Sequence, residues 1–409
     1  MIGTSRAPRR ACLLCLLAGA CGDDPGGVTS SGATTAQSTT TTTTDPTPTT
    51  SDATSAPTGS ISDSATSSTS TTTAPSTSTT APSTTSTTST STTGDPSTTS
   101  TSTTTDTTTG DASTGSELCP ALVLPAGPTC PDPPTEVTTL ATFMDPPYPL
   151  AVDDDDVFFA VSVFTDEVHR VSKCGGPTTK LADAGANPAH MVVDQTAVYW
   201  TDYVEAGSVF KVAKAGGPRV ALATPETYPL PLRADGDRVC WGSGFVADIR
   251  CVPLGGGVVT AIPTAPHAVV DLRPFENQFY WTSQTMGVVG RVDEDGADLQ
   301  ILVDTPNPGS LLVDCTHVYF TDQFGDLQRI PLLGGPPEEF ATSVHRLAQS
   351  DDTVFWTDYN NGFVRARDKL GGPVEDLGAG LGNPHLIAVD ATHVYWTDTA
   401  TNTVMAAPR

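Results

Sequence analysis

Four histidines are the residues of this chain whose type and spacing point to chemistry. His190, His267, His345 and His385 precede four aromatic segments by 9, 13, 10 and 10 residues. Imidazole groups that converge from separate parts of a fold can bind zinc, copper or iron, or act as a general base. The spacing therefore supports a metal or catalytic site. The alternative is that these histidines lie at a solvent-exposed position and bind nothing.

Recognised catalytic motifs are missing from the sequence. It has no Gly-x-Ser-x-Gly elbow, phosphate-binding loop, dinucleotide fingerprint or His-Glu-x-x-His pair, which are the short patterns that carry a known mechanism. We therefore expect no cofactor, and a non-enzymatic function is favoured over an enzymatic one.

The aromatic segments that follow the histidines belong to a repeat. Tyr395-Trp396-Thr397-Asp398 has six upstream variants, and successive repeats start 41, 41, 40, 39, 36 and 40 residues apart. Their first residues are Phe158, Tyr199, Cys240, Tyr280, Tyr319, Phe355 and Tyr395. A period near 40 with one aromatic strand in each unit is typical of a radial β-repeat.

Each unit has the pattern of four short strands. An apolar strand that ends near an acid precedes the aromatic strand, and two further strands flank a Gly-Gly turn such as Gly216-Gly217. The pattern predicts an all-β, seven-bladed β-propeller, with six blades as the alternative because the first repeat is degenerate. Residues 137–143 resemble a fourth strand and are expected to complete the last blade. The first strand of a blade is innermost, so the four histidines would lie at the channel mouth.

The repeat resembles the YWTD repeat of low-density-lipoprotein-receptor-type β-propellers, as in bacterial propeller lipoproteins of unknown function. The resemblance covers residues 137–409. It is carried by three complete Trp-Thr-Asp segments, which contribute Trp200, Asp202, Trp356, Asp358, Trp396 and Asp398. It implies a propeller fold, in which the recurring aromatic and acidic residues have a structural role.

Composition divides the rest of the chain. Residues 1–21 have three arginines, a short apolar run and Cys21, an order typical of a lipoprotein signal peptide with Cys21 as the acylated residue. Residues 22–117 are rich in Thr, Ser and Pro and predict a disordered stalk. Residues 118–136 form a Cys- and Pro-rich strap, and 137–409 the propeller.

Charge and cysteines restrict partners and compartment. The net charge is −26, with 46 acidic and 20 basic residues, so nucleic-acid binding is excluded on electrostatic grounds. Cysteines of an exported chain are disulfide candidates. We expect Cys240 to pair with Cys251 across a hairpin and Cys119 with Cys130 around a loop, and we expect no bond between Cys174 and Cys315.

Together these features predict an exported monomer, lipid-anchored to the outer membrane or cell surface of a bacterium. Its expected function is to bind a protein, peptide or glycan ligand. The alternatives are a metal-dependent lyase- or lactonase-like enzyme that uses the channel-mouth histidines, and a structural lipoprotein of the envelope.

Overall fold

The structure, a computed structural model, describes residues 121–409. The predicted signal peptide with Cys21, the stalk and Cys119 lie outside the described residues. Residues 121–409 form only β-strands, turns and irregular segments, arranged as seven four-stranded antiparallel sheets. In this range no helix is long and apolar enough to cross a membrane. The predicted all-β, seven-bladed propeller is confirmed.

The strands of each blade are lettered A to D from the centre outward. Blades 1 to 3 contain β2 (Pro147–Val152), β3 (Asp156–Val161), β4 (Glu167–Ser172), β5 (Thr179–Asp183); β6 (Pro188–Val193), β7 (Ala197–Asp202), β8 (Gly207–Ala213), β9 (Val220–Glu226); and β10 (Pro229–Asp235), β11 (Arg238–Ser243), β12 (Val246–Pro253), β13 (Thr260–Pro263). Blades 4 and 5 contain β14 (Asp271–Phe275), β15 (Gln278–Ser283), β16 (Val288–Asp293), β17 (Gln300–Asp304); and β18 (Leu311–Val313), β19 (His317–Thr321), β20 (Leu327–Pro331), β21 (Glu338–Ala341). Blades 6 and 7 contain β22 (Arg346–Gln349), β23 (Thr353–Asp358), β24 (Phe363–Asp368), β25 (Glu375–Gly378); and β26 (Pro384–Val389), β27 (His393–Asp398), β28 (Thr403–Pro408), β1 (Thr138–Thr142).

The ring closes through the first strand of the described residues. Strand β1 pairs antiparallel with β28, with Thr138 opposite Ala406 and Thr142 opposite Thr403. Strand β1 is therefore strand D of blade 7, as the sequence predicted. Pairing the first and last strands of the propeller in one sheet removes the open edges at which a β-array can aggregate.

Two consecutive aromatic positions explain why the blades stack into a ring. Side chains alternate across a strand, so the two rings of one segment face different neighbours. Phe158 of blade 1 shares a buried cluster with Trp200 of blade 2, and Tyr395 of blade 7 shares one with Phe159 of blade 1. Five further clusters repeat this arrangement between the remaining blades, uniting Tyr199 with Trp241, Cys240 with Trp281, Tyr280 with Phe320, Tyr319 with Trp356, and Phe355 with Trp396.

One predicted disulfide is present and one is corrected. Cys240 and Cys251 are paired across β11 and β12 and form a disulfide. Cys130 is bonded to Cys174, with a Cα–Cα distance of 6.1 Å, so the predicted pair of Cys130 with Cys119 is wrong. The physical reason is that the strap runs along the propeller to the β4–β5 turn. Cys315 is also disulfide-bonded.

The strap lies on one face of the disc. The amide of Leu122 donates to Asp351 Oδ1 at 2.6 Å, and the amide of Ala126 to Asp154 Oδ1 at 2.8 Å. Between these contacts, Pro125 O accepts from the amide of Ala391 at 2.9 Å. These partners are in A–B turns of blades 6, 1 and 7. We call this side, with the A–B and C–D turns, the strap face, and the opposite side, with the B–C loops and D–A connections, the mouth face.

Candidate functional site

A central cavity of about 210 Å³ lies among the innermost strands of the blades. Its charged and imidazole side chains are His190, Arg233, Asp271, Arg273, Asp322, His345, Arg346 and His385. Its apolar wall includes Leu150, Met191, Leu347 and Ile387. Each of these four apolar residues pairs, across strands A and B, with the second residue of the aromatic segment of its blade. The four therefore lie at the same level along the axis of the channel.

The structure brings three of the four singled-out histidines to this cavity. His345 and His385 hold equivalent places, each two residues before the apolar wall residue of its blade, and their ring centroids are 4.8 Å apart. His190 lies one residue before Met191. His267 does not line the cavity and stacks on Trp281 at 5.1 Å. The four histidines therefore do not share one repeat position.

The cavity histidines have the electrostatics of neutral imidazoles. Burial and, to a lesser extent, the charge of the nearby Arg346 guanidinium together lower the pKa of His385 to about 3. Burial, followed by the charge of Arg346, holds the pKa of His345 well below its usual value. Within residues 121–409 no three His, Cys, Asp or Glu side chains are grouped so that they could hold a metal ion. The arrangement thus offers neutral donors and acceptors, without a carboxylate next to the His345–His385 pair.

An arginine cluster below the histidines was not anticipated from the sequence. Arg233 and Arg273 follow the apolar residues Leu232 and Leu272 in strands A of blades 3 and 4, and Arg346 begins strand A of blade 6. A cation in an innermost strand, which is otherwise apolar, is the signal that could have revealed them. Arg233 and Arg273 each precede the aromatic segment of their blade by 7 residues, whereas Arg346 precedes its segment by 9.

One carboxylate balances part of this charge. Asp271 Oδ1 lies 2.5 Å from an Arg233 Nη atom and accepts from the amide of Leu272, and Asp271 Oδ2 accepts from the amide of Leu311. Burial raises the pKa of Asp271, but the charges of Arg233 and Arg273 outweigh it, so the pKa lies below its usual value. Asp271 is therefore ionised and its oxygens are occupied.

The Trp-Thr-Asp segments hold the cavity strands in place. Thr357 Oγ1 accepts from the amide of Arg346 at 3.2 Å and donates to His385 O at 2.8 Å, so it joins strands A of blades 6 and 7. Asp398 accepts from the amides of Gly382 and Asn383, which precede strand A of its own blade. The Trp200, Trp356 and Trp396 rings are buried between blades. These residues position the cavity wall and do not line the cavity.

Apolar side chains surround the mouth of the cavity. The B–C loops of blades 1, 3, 4 and 5 expose Phe164, Phe245, Met286 and Phe324, with 82, 57, 49 and 77% of their surfaces accessible. Loops of the same kind contribute Tyr203, Gln284 and Asp322 to the cavity lining. Exposed apolar groups around a polar centre mark a surface suited to binding.

Comparisons with known proteins identify the fold. No family model matches the chain, and no curated protein matches it. Among solved structures it is similar to a virginiamycin B lyase from Staphylococcus aureus (13% identity, TM-score 0.55, covering 67% of this chain and 99% of that chain). It is also similar to the WD40 β-propeller domain of Doa1 (12% identity, TM-score 0.56, covering 67% and 98%). Similarity at such low identity shows that the fold is a β-propeller. The resemblance to the YWTD repeat rests on the sequence motifs alone.

Proposed function

We propose that this chain is a membrane-tethered, extracytoplasmic binding module whose mouth face takes up a peptide or protein segment. The observation that carries the proposal is the combination on one face of a central cavity and four exposed apolar loop residues, Phe164, Phe245, Met286 and Phe324. Exposed aromatic anchors around a recessed polar centre supply the contact area and specificity that peptide recognition needs.

The position of the strap supports this assignment of faces. Leu122 and Ala126 bond to A–B turns, on the side opposite the B–C loops. Whatever precedes residue 121 is thus connected to the strap face. We propose residues 22–117 as a stalk and Cys21 as its lipid anchor, and the strap that follows them leaves the B–C loops of the mouth face uncovered. The disulfides Cys130–Cys174 and Cys240–Cys251 are typical of an oxidising compartment.

The described residues give the lyase alternative no specific support. A lyase is among the structures with a similar fold, but at 13% identity this likeness concerns the fold alone. The cavity histidines of residues 121–409 are not grouped with a third ligand for a metal ion. A binding function is therefore proposed ahead of a metal-dependent one.

A peptide library tests the proposal. Peptides selected on the full chain would be titrated against two double variants, Phe164→Ser/Phe324→Ser on the mouth face and Leu333→Ser/Leu370→Ser on the strap face. Leu333 and Leu370 are 81 and 97% exposed and lie in C–D turns, so they are matched controls. We expect the first variant to weaken binding roughly tenfold or more and the second to leave it unchanged.

Three other results would overturn the proposal. Equal loss of affinity in both variants would show that binding does not use the mouth face. If ligands were recovered only from a parallel glycan array, the ligand of the mouth face would be a sugar and not a peptide. No face-dependent ligand in either library would favour the purely structural envelope role.

A further inference from the structure

Two guanidinium groups in the central cavity have no anionic partner among residues 121–409. Arg273 Nε donates to Leu311 O at 2.6 Å, and Arg346 Nη1 donates to His345 O at 3.1 Å. Neither side chain forms an ion pair within the described range, although Arg233 beside them does so with Asp271. Both side chains are half-buried. A cation that is partly withdrawn from water without a counter-ion is costly, so their presence requires an explanation.

The remaining charges of the cavity do not supply that counter-ion. The oxygens of Asp271 are bonded to Arg233 and two amides. The other lining carboxylate, Asp322, accepts from the amides of Phe324 and Asp326 in its own loop. The lining thus has three guanidiniums against two carboxylates that are already bonded, within a chain whose net charge is −26.

Burial is the main influence on the acid–base properties of the cluster. Burial and the charge of Arg233 lower the pKa of Arg273 to about 9, although the charge of Asp271 opposes this shift. Burial also lowers the pKa of Arg346, where the charge of Asp271 only partly opposes the shift. The histidines contribute no charge of either sign, since burial keeps the pKa of His190, His345 and His385 low and their imidazoles neutral at neutral pH. An anion bound here would remove the electrostatic penalty of the cluster.

We propose that the central cavity is a receptor site for an organic carboxylate, held by Arg273 and Arg346. A guanidinium binds a carboxylate with two parallel N–H···O bonds. The carbon skeleton of the ligand would contact the apolar wall, formed by Leu150, Met191, Leu347 and Ile387. Inorganic phosphate has no carbon skeleton and could not make this contact. The volume of about 210 Å³ suits a small acid or the last residue of a peptide. This inference extends the proposed function by naming the group that enters the cavity.

Small-molecule probes test the site independently of any peptide partner. Benzoate would be titrated into the full chain by calorimetry and thermal shift, with benzamide as the uncharged molecule of the same shape, inorganic phosphate as another oxyanion, and sodium chloride at matched ionic strength. We expect saturable binding of benzoate. Benzamide, phosphate and chloride should neither bind nor change the unfolding temperature. Single Arg273→Gln and Arg346→Gln variants should each weaken benzoate binding roughly tenfold or more. Arg219→Gln, which alters an exposed arginine outside the cavity, should not.

A second measurement guards against misfolding of the variants. Since each substitution removes a half-buried cation that has no ion pair among residues 121–409, Arg273→Gln and Arg346→Gln should unfold at the same temperature as the parent or higher when no ligand is present. Equal shifts with benzamide, equal affinity for phosphate, the absence of any benzoate binding, or full binding by the folded variants would overturn the carboxylate site. None of these outcomes depends on whether a peptide binds the mouth face.

Discussion

Lys173 Nζ lies 2.7 Å from Asp390 Oδ2, and neither side chain is exposed to solvent. The two residues are 217 positions apart, in the first and last blades, so their contact spans the seam where the ring closes. Two other neighbouring pairs of blades repeat it, with Lys214 bonded to Asp153 and Lys369 to Asp314. The ion pair at the seam is therefore one case of a recurring inter-blade contact.

Breaking the seam pair should destabilise the fold strongly. Lys173→Met leaves the Asp390 carboxylate buried without its cation, which typically costs about 3–5 kcal/mol. Chemical denaturation of the full chain would measure the free energy of unfolding. The matched variant Lys214→Met alters a pair whose side chains are 22 and 17% exposed, and we expect a smaller loss because water can solvate Asp153. Equal losses in the two variants would contradict the expectation that the fully buried pair contributes more to stability than the partly exposed one.

The Cys130–Cys174 disulfide should hold the strap against the propeller. It closes a loop with a sequence separation of 44 residues, and removal of a native disulfide typically costs about 2–5 kcal/mol. We expect Cys130→Ala/Cys174→Ala to lower the free energy of unfolding and to expose residues 121–134 to limited proteolysis. Cys240→Ala/Cys251→Ala, which removes a bond inside blade 3, should leave the proteolysis of the strap unchanged.

The free energy of unfolding should decrease as the pH is lowered, because the cavity histidines are neutral in the folded protein. The pKa of His385 is lowered from 6.5 to about 3 by burial and by Arg346. Below pH 6.5 the unfolded chain therefore binds a proton that the folded chain does not. The free energy of unfolding should decrease toward low pH, on the order of 1 kcal/mol per pH unit for this group. His385→Asn should flatten the profile between pH 7 and 4.5, as measured by urea denaturation. If the variant and the parent showed the same dependence of unfolding free energy on pH, the lowered pKa of His385 would be contradicted.

We expect the purified full chain to hold no near-stoichiometric transition metal. The reason is geometric: His267 stacks on Trp281 and does not line the cavity, and within residues 121–409 no triad of suitable ligands exists. Elemental analysis of protein prepared without chelator or affinity-tag metal would check this, beside a His190→Ala/His345→Ala/His385→Ala variant. Metal in the parent but not in the variant would revive the metalloenzyme hypothesis.

The fold was predictable because its determinants are local and repeated. Six blades have an aromatic pair such as Tyr199-Trp200, and blade 3 has Cys240-Trp241 at the same place. The period of these pairs predicts the number of blades. The missing fourth strand of blade 7 was predictable for the same reason, since residues 137–143 match the other outer strands. The repeat therefore carried both the number of blades and the way in which the ring closes.

The cavity was predictable only in part. His345 and His385 could be placed near one another because they precede similar strands by equal distances. The equal spacing of Arg233 and Arg273 ahead of their aromatic segments was visible in the sequence and was overlooked. Arg346 has a different spacing, so its place in the same cavity could not be read from the repeat. The bond of Cys130 to Cys174 depends on the path of an irregular segment, and such a segment has no periodicity from which a path could be read.

The same disulfide determines how the domain would bear a mechanical load. Strand β1 lies inside the loop that the Cys130–Cys174 bond closes. Tension that reaches Cys130 along the strap, while a ligand is bound on the mouth face as proposed, would pass across the sulfur atoms directly into the β4–β5 turn. The segment from 131 to 173 would be bypassed, so β1 would not be peeled from β28. The ring would stay closed under a pull that would otherwise act first on its closing strand.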